Sequence, residues 1–254
     1  QFPEEERNPG VKDLKVEVLP EDKALGLKWS CEEDFFFSKT RREPPSDVVT
    51  PRMFLAFWAS VYDVLGYMGP FMFRGKLLRQ RVWDQVKDWD TPVSEELRLE
   101  AVTWAQDVGV LSRVRVPRWF GTKIGQPVQL HVFCDASKKG FGCVTYRRFE
   151  ESPGVVKTAF VAAKDRVANK DGCKIPRLEL HAMVLGSRLQ RTLIGELEGV
   201  LVVEQVFLWG DNESVLAWLG SESGKFDTFV CNRVAELQEN LTYEDNHPAQ
   251  LRYV

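Results

Sequence analysis

Alternation of apolar and polar positions opens the chain, and helical spacing then takes over. LKVEVLP and ALGLKWSCEEDFFFS alternate and read as strands, with the second stretch folding into a hairpin around Ser30 to Asp34. RREPPSD is polar and carries two prolines, so it reads as a linker. Arg52 to Met68 and Phe71 to Trp89 read as helices, and TPVSEELRLEAVTWAQDV predicts a third helix with Ser94 as its N-cap. VRVPRWFG then leads to GTKIGQP, Gly121 to Pro127, where a domain boundary is expected.

The remainder changes texture. Leu130 to Cys134 alternates and is rich in strand formers, Ser-Lys-Lys-Gly is turn chemistry, and Phe141 to Tyr146 reads as a returning strand. A third strand is expected near Val156 to Ala163, followed by a loop to Lys174 and then helix, strand, helix, helix, strand. That order predicts an α/β fold with a mixed five-stranded sheet and flanking helices. The first of those helices, IPRLELHAMVLGSRLQRTL, has Pro176 in its first turn and Leu178, Ala182, Leu185 and Leu189 on one stripe. Gln205 to Trp209 reads as a strand buried on both faces. No internal repeat or low-complexity tract interrupts this pattern.

Composition narrows the function classes. A chain of 254 residues with 44% hydrophobic content can build one large core or two modest ones. The net charge of −3 argues against a uniformly basic nucleic-acid binder. It conceals an asymmetry, because Ala136 to Arg191 is basic whereas Thr192 to Val254 is acidic, so a polyanion should meet the earlier segment. Five scattered cysteines without CxxC spacing and three histidines suit neither a zinc site nor a disulfide framework, and a reducing compartment is expected. The polar QFPEEERNPG does not read as a signal peptide. MFLAFWASVYDVLGYMGPFMF has Asp63 at its centre, plus Gly66, Gly69 and Pro70, and predicts buried helices with a break near the glycines rather than a membrane span.

Three carboxylates carry the candidate chemistry. Asp135 ends the first strand of the later region, Glu179 lies in the first turn of its first helix, and Asp211 ends its fourth strand. Each has a local explanation: turn initiation by Asp135 and Ser137, a helix-dipole contribution from Glu179, and an N-cap role for Asp211. Adjacent central strands would instead bring them together. Converging carboxylate oxygens suit Mg²⁺, and two such ions can activate water and stabilise the leaving oxygen of a phosphodiester. The small Ala136 and Ser137 would let a nucleic-acid backbone approach.

Residues 128–254 resemble the ribonuclease H domain of retroelements, and FCDAS, IPRLEL, LWGDNESVLAWL and FVCNRVAELQ resemble the BEL/Pao class of long-terminal-repeat retrotransposons closely. LGLKW, SVYDVLGYMGPFMFRGKLLRQRVW, DWD and VPRWF are similar to the Pao polyprotein between the polymerase palm and ribonuclease H. The resemblance implies a ribonuclease H-like domain over residues 121–254. It also implies a mostly helical reverse transcriptase thumb/connection-like region over residues 1–120, with residues 24–38 in the primer-grip hairpin region and 52–118 in thumb and connection helices. Hydrolysis of the RNA strand of RNA–DNA hybrids follows, with Asp135, Glu179 and Asp211 holding two Mg²⁺ ions, for which Mn²⁺ can substitute. Ser137, Lys138, Lys139, Arg147, Arg148, Lys174, Arg177 and Asn212 are the expected nucleic-acid contacts. The implied partners are the hybrid and the rest of the retroelement polyprotein, with no membrane, inside the cell in the cytoplasm, a virus-like particle or the nucleus.

Two departures from the family qualify this expectation. The paired aspartates after Tyr of a polymerase are absent, so polymerisation is not expected. The family's fourth acidic residue follows the last strand in an Asn-Pro-Ala-Asp phrase, whereas LRYV falls within that strand, so the last helix and the fourth carboxylate are expected to be missing and turnover to be weak. Asp245 in YEDNHPAQ precedes the strand and does not take that role. The competing expectations are a catalytically silent nucleic-acid-binding or structural module derived from a retroelement, and an actin-like nucleotide-binding domain. The second would need a further glycine-rich phosphate loop, which the sequence does not show.

Overall fold

The computed structural model describes residues 21–24, 27–38, 42–45, 47–119, 121–169, 173–221, 223–242 and 249–254. The strand expected in LKVEVLP and the position of Asp245 lie outside them. A small antiparallel sheet joins β1 (Glu21–Ala24), β2 (Leu27–Ser30), β3 (Phe35–Phe37) and β4 (Val116–Pro117) in that order. The hairpin expected around Ser30 to Asp34 is the β2–β3 turn, where Asp34 takes a left-handed backbone at φ +52°. Its carboxylate accepts from the Trp29 indole at 3.0 Å and from Arg118 at 2.6 Å, which ties the turn to the chain just beyond β4.

Three helices follow: α1 (Pro51–Trp58), α2 (Gly69–Val86) and α3 (Glu95–Asp107). The first ends ten residues sooner than its apolar spacing predicts, so the break falls before the glycines rather than at them. Ser60 Oγ donates to the Phe57 carbonyl at 2.6 Å, and Asp63 accepts from the Met68 N–H at 3.0 Å. Polar side chains thus close a turn within the stretch that helical spacing carries on to Met68. Ser94 caps α3 as expected, accepting from the Leu97 N–H. The helices pack on Trp104, whose ring lies 5.6 Å from Phe54 and 5.7 Å from Phe71 and whose indole N–H donates to the Phe71 carbonyl. Among the described residues no helix is long and apolar enough to cross a membrane.

The second sheet is the expected mixed one. Its strands are β5 (Pro127–Ser137), β6 (Gly140–Ser152), β7 (Val155–Val167), β8 (Val202–Gly210) and β9 (Gln250–Tyr253), ordered β7-β6-β5-β8-β9. The pairs β5–β6 and β6–β7 are antiparallel, whereas β5–β8 and β8–β9 are parallel. Alternation sends Val128, Leu130, Val132 and Cys134 to one face, under α4 (Ile175–Leu197), with α5 (Glu213–Leu219) and α6 (Thr228–Thr242) completing that layer. Within α4 the buried set is broader than the predicted stripe, because Leu180, Met183, Val184 and Gly186 are covered as well. A Cβ on Gly186 would lie 2.4 Å from Cys134 Sγ, so glycine is what allows α4 to sit this close to β5.

β8 is not buried on both faces. Val206 and Leu208 point into the core, but Phe207 and Trp209 lie half-buried on the opposite face. There they join His131 and Phe133 in a stacked aromatic array, with ring centroids 5.9 Å apart for Trp209 and His131, 5.7 Å for Trp209 and Phe133, and 4.8 Å for His131 and Phe207.

The helical region reaches this second face at β7. Ala163 N–H donates to the Leu65 carbonyl at 2.7 Å, and Lys76 of α2 pairs with Asp165 at 2.6 Å. Between them Gly66, at φ +77°, lies so close that a Cβ there would stand 2.1 Å from the Ala163 carbonyl oxygen. Gly66→Ala combines left-handed strain with a backbone clash and is expected to lower stability by about 2 to 4 kcal/mol in denaturant unfolding. Wild-type stability in that variant would show that α2 is not clamped to β7.

Candidate metal centre

Parallel register sets two of the three carboxylates side by side. Phe133 of β5 lies opposite Trp209 of β8, and two residues beyond each stand Asp135 and Asp211. Glu179 is the fifth residue of α4, in its second turn rather than the expected first, and one oxygen from each of the three carboxylates lies within 4.8 Å of the others. Asp135 and Asp211 are exposed, whereas Glu179 is buried.

The local explanations fail for these residues one by one. The β5–β6 turn is held by Ser137, whose Oγ accepts from the Lys139 N–H at 3.2 Å. The N-cap of α5 is Asn212 rather than Asp211, its side chain accepting from the Val215 N–H. Glu179 lies beyond the first turn, so the helix dipole does not account for it, and it is turned inward, where burial first, then the charges of Asp211 and Asp135, push its carboxyl from the ordinary 4.5 up to about 7. The Ala136 N–H donates to it and acts in the opposite sense. Three acidic groups therefore share one mouth, with the buried member close to half-protonated at neutral pH. A divalent cation fits this donor set, since it replaces the missing positive charge with short oxygen bonds.

The basic residues divide. Lys138 and Lys139 are exposed on the β5–β6 turn next to Ser137, and Lys174 is exposed just before α4. Arg177 pairs with Asp227 at 2.8 Å and lies over the Phe229 ring. Arg147 and Arg148 do not join them, because adjacent strand residues face opposite ways. Arg147 is buried, donates to Thr122 Oγ1 at 2.7 Å and stacks over Phe149, while Arg148 donates to Gln129 on the aromatic face. Opposite Leu130 and Gln129, the pair also sits five to six residues back along β5 from Asp135, roughly 17 to 20 Å at strand spacing.

A cavity of about 370 Å³ beside Asp135 was not foreseen from the sequence. Its floor is Phe133, Asp135, Gly140 and Gly142, and its wall is Gly69 and Phe73 of α2. The small residues of LGYMGP are the one local trace of it, and they read there as a helix break.

A family model described as Pao retrotransposon-like RNaseH-like domain matches residues 50–212. Among solved structures, the foamy viral protease–reverse transcriptase dRH in complex with double-stranded DNA is similar at a TM-score of 0.56 and 11% identity, over 92% of this chain and 38% of that one. RNase H1 from the halophilic archaeon Halobacterium salinarum NRC-1 aligns with a TM-score of 0.31 and 14% identity, over 50% of this chain and 85% of that one. No curated protein matches. The foamy viral likeness extends across both the helical region and the five-stranded sheet.

Because the folded carboxyl of Glu179 titrates near 7 rather than 4.5, its protonated form is favoured by folding. That contribution is complete below about 4.5 and is lost as the pH rises through about 7. Without divalent ions the protein is therefore expected to lose stability from pH 5 to pH 8, and Glu179→Gln to be more stable than wild type at pH 8 by about 1 to 3 kcal/mol. Thermal melts in chelator across that range check this; a Glu179→Gln variant less stable than wild type at pH 8 would contradict it.

Proposed function

Because the chain belongs to the Pao retrotransposon-like RNaseH-like domain family, we propose that Asp135, Glu179 and Asp211 form a metal-dependent nuclease site that hydrolyses the RNA strand of an RNA–DNA hybrid. The observation that carries this reading is the approach of their carboxylate oxygens to within 4.8 Å. Three acidic groups gathered from two strand ends and a helix repel one another until a cation joins them, so their convergence is better explained by binding than by stability.

Mg²⁺ ions, with Mn²⁺ as a substitute, would supply an activated water and charge neutralisation at the leaving oxygen. The chain's own residues do the positioning. Asp135 and Asp211 offer oxygens at the exposed mouth, and Glu179 offers its own from below, oriented by the Ala136 N–H. In this reading Ser137, Lys138, Lys139, Lys174, Arg177 and Asn212 meet the phosphates around that mouth. Arg147 and Arg148 contribute through the sheet instead. Residues 1–120 are the thumb/connection-like part, residues 121–254 the nuclease part, and the remainder of a retroelement polyprotein is the physiological partner.

Saturating Mg²⁺ or Mn²⁺ is expected to raise the melting temperature by about 5 to 10 °C, the linkage expected at ~100-fold excess over Kd for a chain of this size. Asp135→Asn is expected to abolish the shift. On a labelled hybrid, RNA cleavage is expected to be more permissive with Mn²⁺ than with Mg²⁺ and to disappear in Asp211→Asn. A cation-induced shift without cleavage would favour the silent binding module, and the absence of both would remove the metal site.

A further inference from the structure

α2 ends at Val86, and Lys87 takes a left-handed backbone at φ +53°, which turns the chain back on the helix. The turn brings Trp89 against Trp83, with ring centroids 4.7 Å apart and the planes tilted by 55°. Trp89 is pinned there by the start of α1. Its carbonyl accepts from the Arg52 N–H at 3.1 Å, and the Arg52 guanidinium, paired with Asp90 at 2.8 Å, lies 5.6 Å from its ring centroid. Both indoles nonetheless stay exposed, at 41% and 42%. Two adjacent tryptophans held in place yet left to solvent contribute little to the core and mark a contact surface. They line a cavity of about 300 Å³ between α1, α2 and the end of β7, together with Lys76, Arg79, Gln80 and Val167. Among the described residues no carboxylate lines it. Lys76 is already paired with Asp165, so the unbalanced charge is that of Arg79, which is exposed with its guanidinium 5.1 Å over the Trp58 ring. Val167 links the cavity to the β5–β6 turn: it lies opposite Gly140, and the N–H of the next residue, Ala168, donates to the Lys139 carbonyl at 2.9 Å.

Flat aromatic faces beside a guanidinium, with no acid among them, match a nucleobase and its phosphate. Bases within a duplex present only their edges, whereas an unpaired strand splays them onto a ring. We propose that the Trp83–Trp89 groove binds an unpaired segment of single-stranded nucleic acid, with a base stacked on the indoles and a phosphate held by Arg79. A neutral proline-rich peptide would use the rings but leave Arg79 without a counter-charge. The groove shares no residue with the three carboxylates, so the inference goes beyond the nuclease reading and does not rest on it.

Anisotropy titration of a labelled oligothymidylate of about 15 nucleotides with the full chain, in chelator, tests the groove with the metal centre silent. Wild type is expected to bind, Trp83→Leu about 10-fold more weakly, and Trp83→Phe, which keeps a ring, within about 2- to 3-fold of wild type. Arg79→Gln is expected to lower the salt dependence of binding by about 0.7 in the log–log slope, the single-strand value for one phosphate. A blunt duplex is expected to bind wild type and Trp83→Leu alike. No oligothymidylate binding by wild type, an unchanged affinity in Trp83→Leu, or equal losses in Trp83→Leu and Trp83→Phe overturns the stacking site. Duplex affinity that falls in Trp83→Leu as far as single-strand affinity overturns the unpaired strand as the occupant. A proline-rich peptide that binds wild type and not Trp83→Leu, while oligothymidylate does not bind, overturns it in favour of a protein partner. Asp135→Asn should keep oligothymidylate binding, so failure to cleave hybrid alongside intact single-strand binding counts against the nuclease reading alone.

Discussion

Parallel pairing of β5 with β8 is the constraint on which the site depends. With Phe133 opposite Trp209, both strands end on an aspartate at the same level. A slip of one residue in either strand would send its alternating side chains to the other face and carry Asp135 away from Asp211. The register is held by what it buries: Val132 and Leu208 are fully covered under α4, and reversing them would expose two core side chains at about 1.5 to 3 kcal/mol each. The apolar core therefore enforces an electrostatically unfavourable meeting of acids.

Glu179 completes that meeting because α4 can lie close to the sheet. Gly186 permits the approach to Cys134, and seven residues earlier the same helix delivers Glu179 beside the Ala136 N–H. Burial of this carboxylate and the neighbouring charges of Asp211 and Asp135 raise its affinity for a proton. Protonation and folding are thus coupled through a residue that also belongs to the helix–sheet interface.

On the opposite face of the sheet the helical region plays a comparable part. Gly66, the Leu65–Ala163 hydrogen bond and the Lys76–Asp165 pair hold α2 against β7, and Phe73 meets Gly140 at the β5–β6 turn. The turn bearing Lys138 and Lys139 is consequently braced from the side away from α4. A family match that begins at residue 50, well before the five-stranded sheet, agrees with this sharing of an interface.

Much of the molecule was legible in the chain alone. Alternation in Leu130 to Cys134, the stripe of Leu178, Ala182, Leu185 and Leu189, and the Ser94 cap are local signals, and each corresponds to an element of the structure. The order of the acidic residues relative to those elements was equally readable, which is why Asp135, Glu179 and Asp211 could be named together. Contacts between distant segments were not. Arg147 has the appearance of a surface cation until Thr122 and Phe149 enclose it, α1 stops early because Asp63 finds the Met68 N–H, and Asn212 takes the cap that Asp211 could have taken. Arg166 of β7, Arg188 of α4 and Arg233 and Glu236 of α6 are dispersed along the chain and line one cavity only in three dimensions. Periodicity is a property of neighbouring residues and is written into the sequence, whereas burial, pairing and charge convergence depend on which surfaces meet, and that was decided by packing.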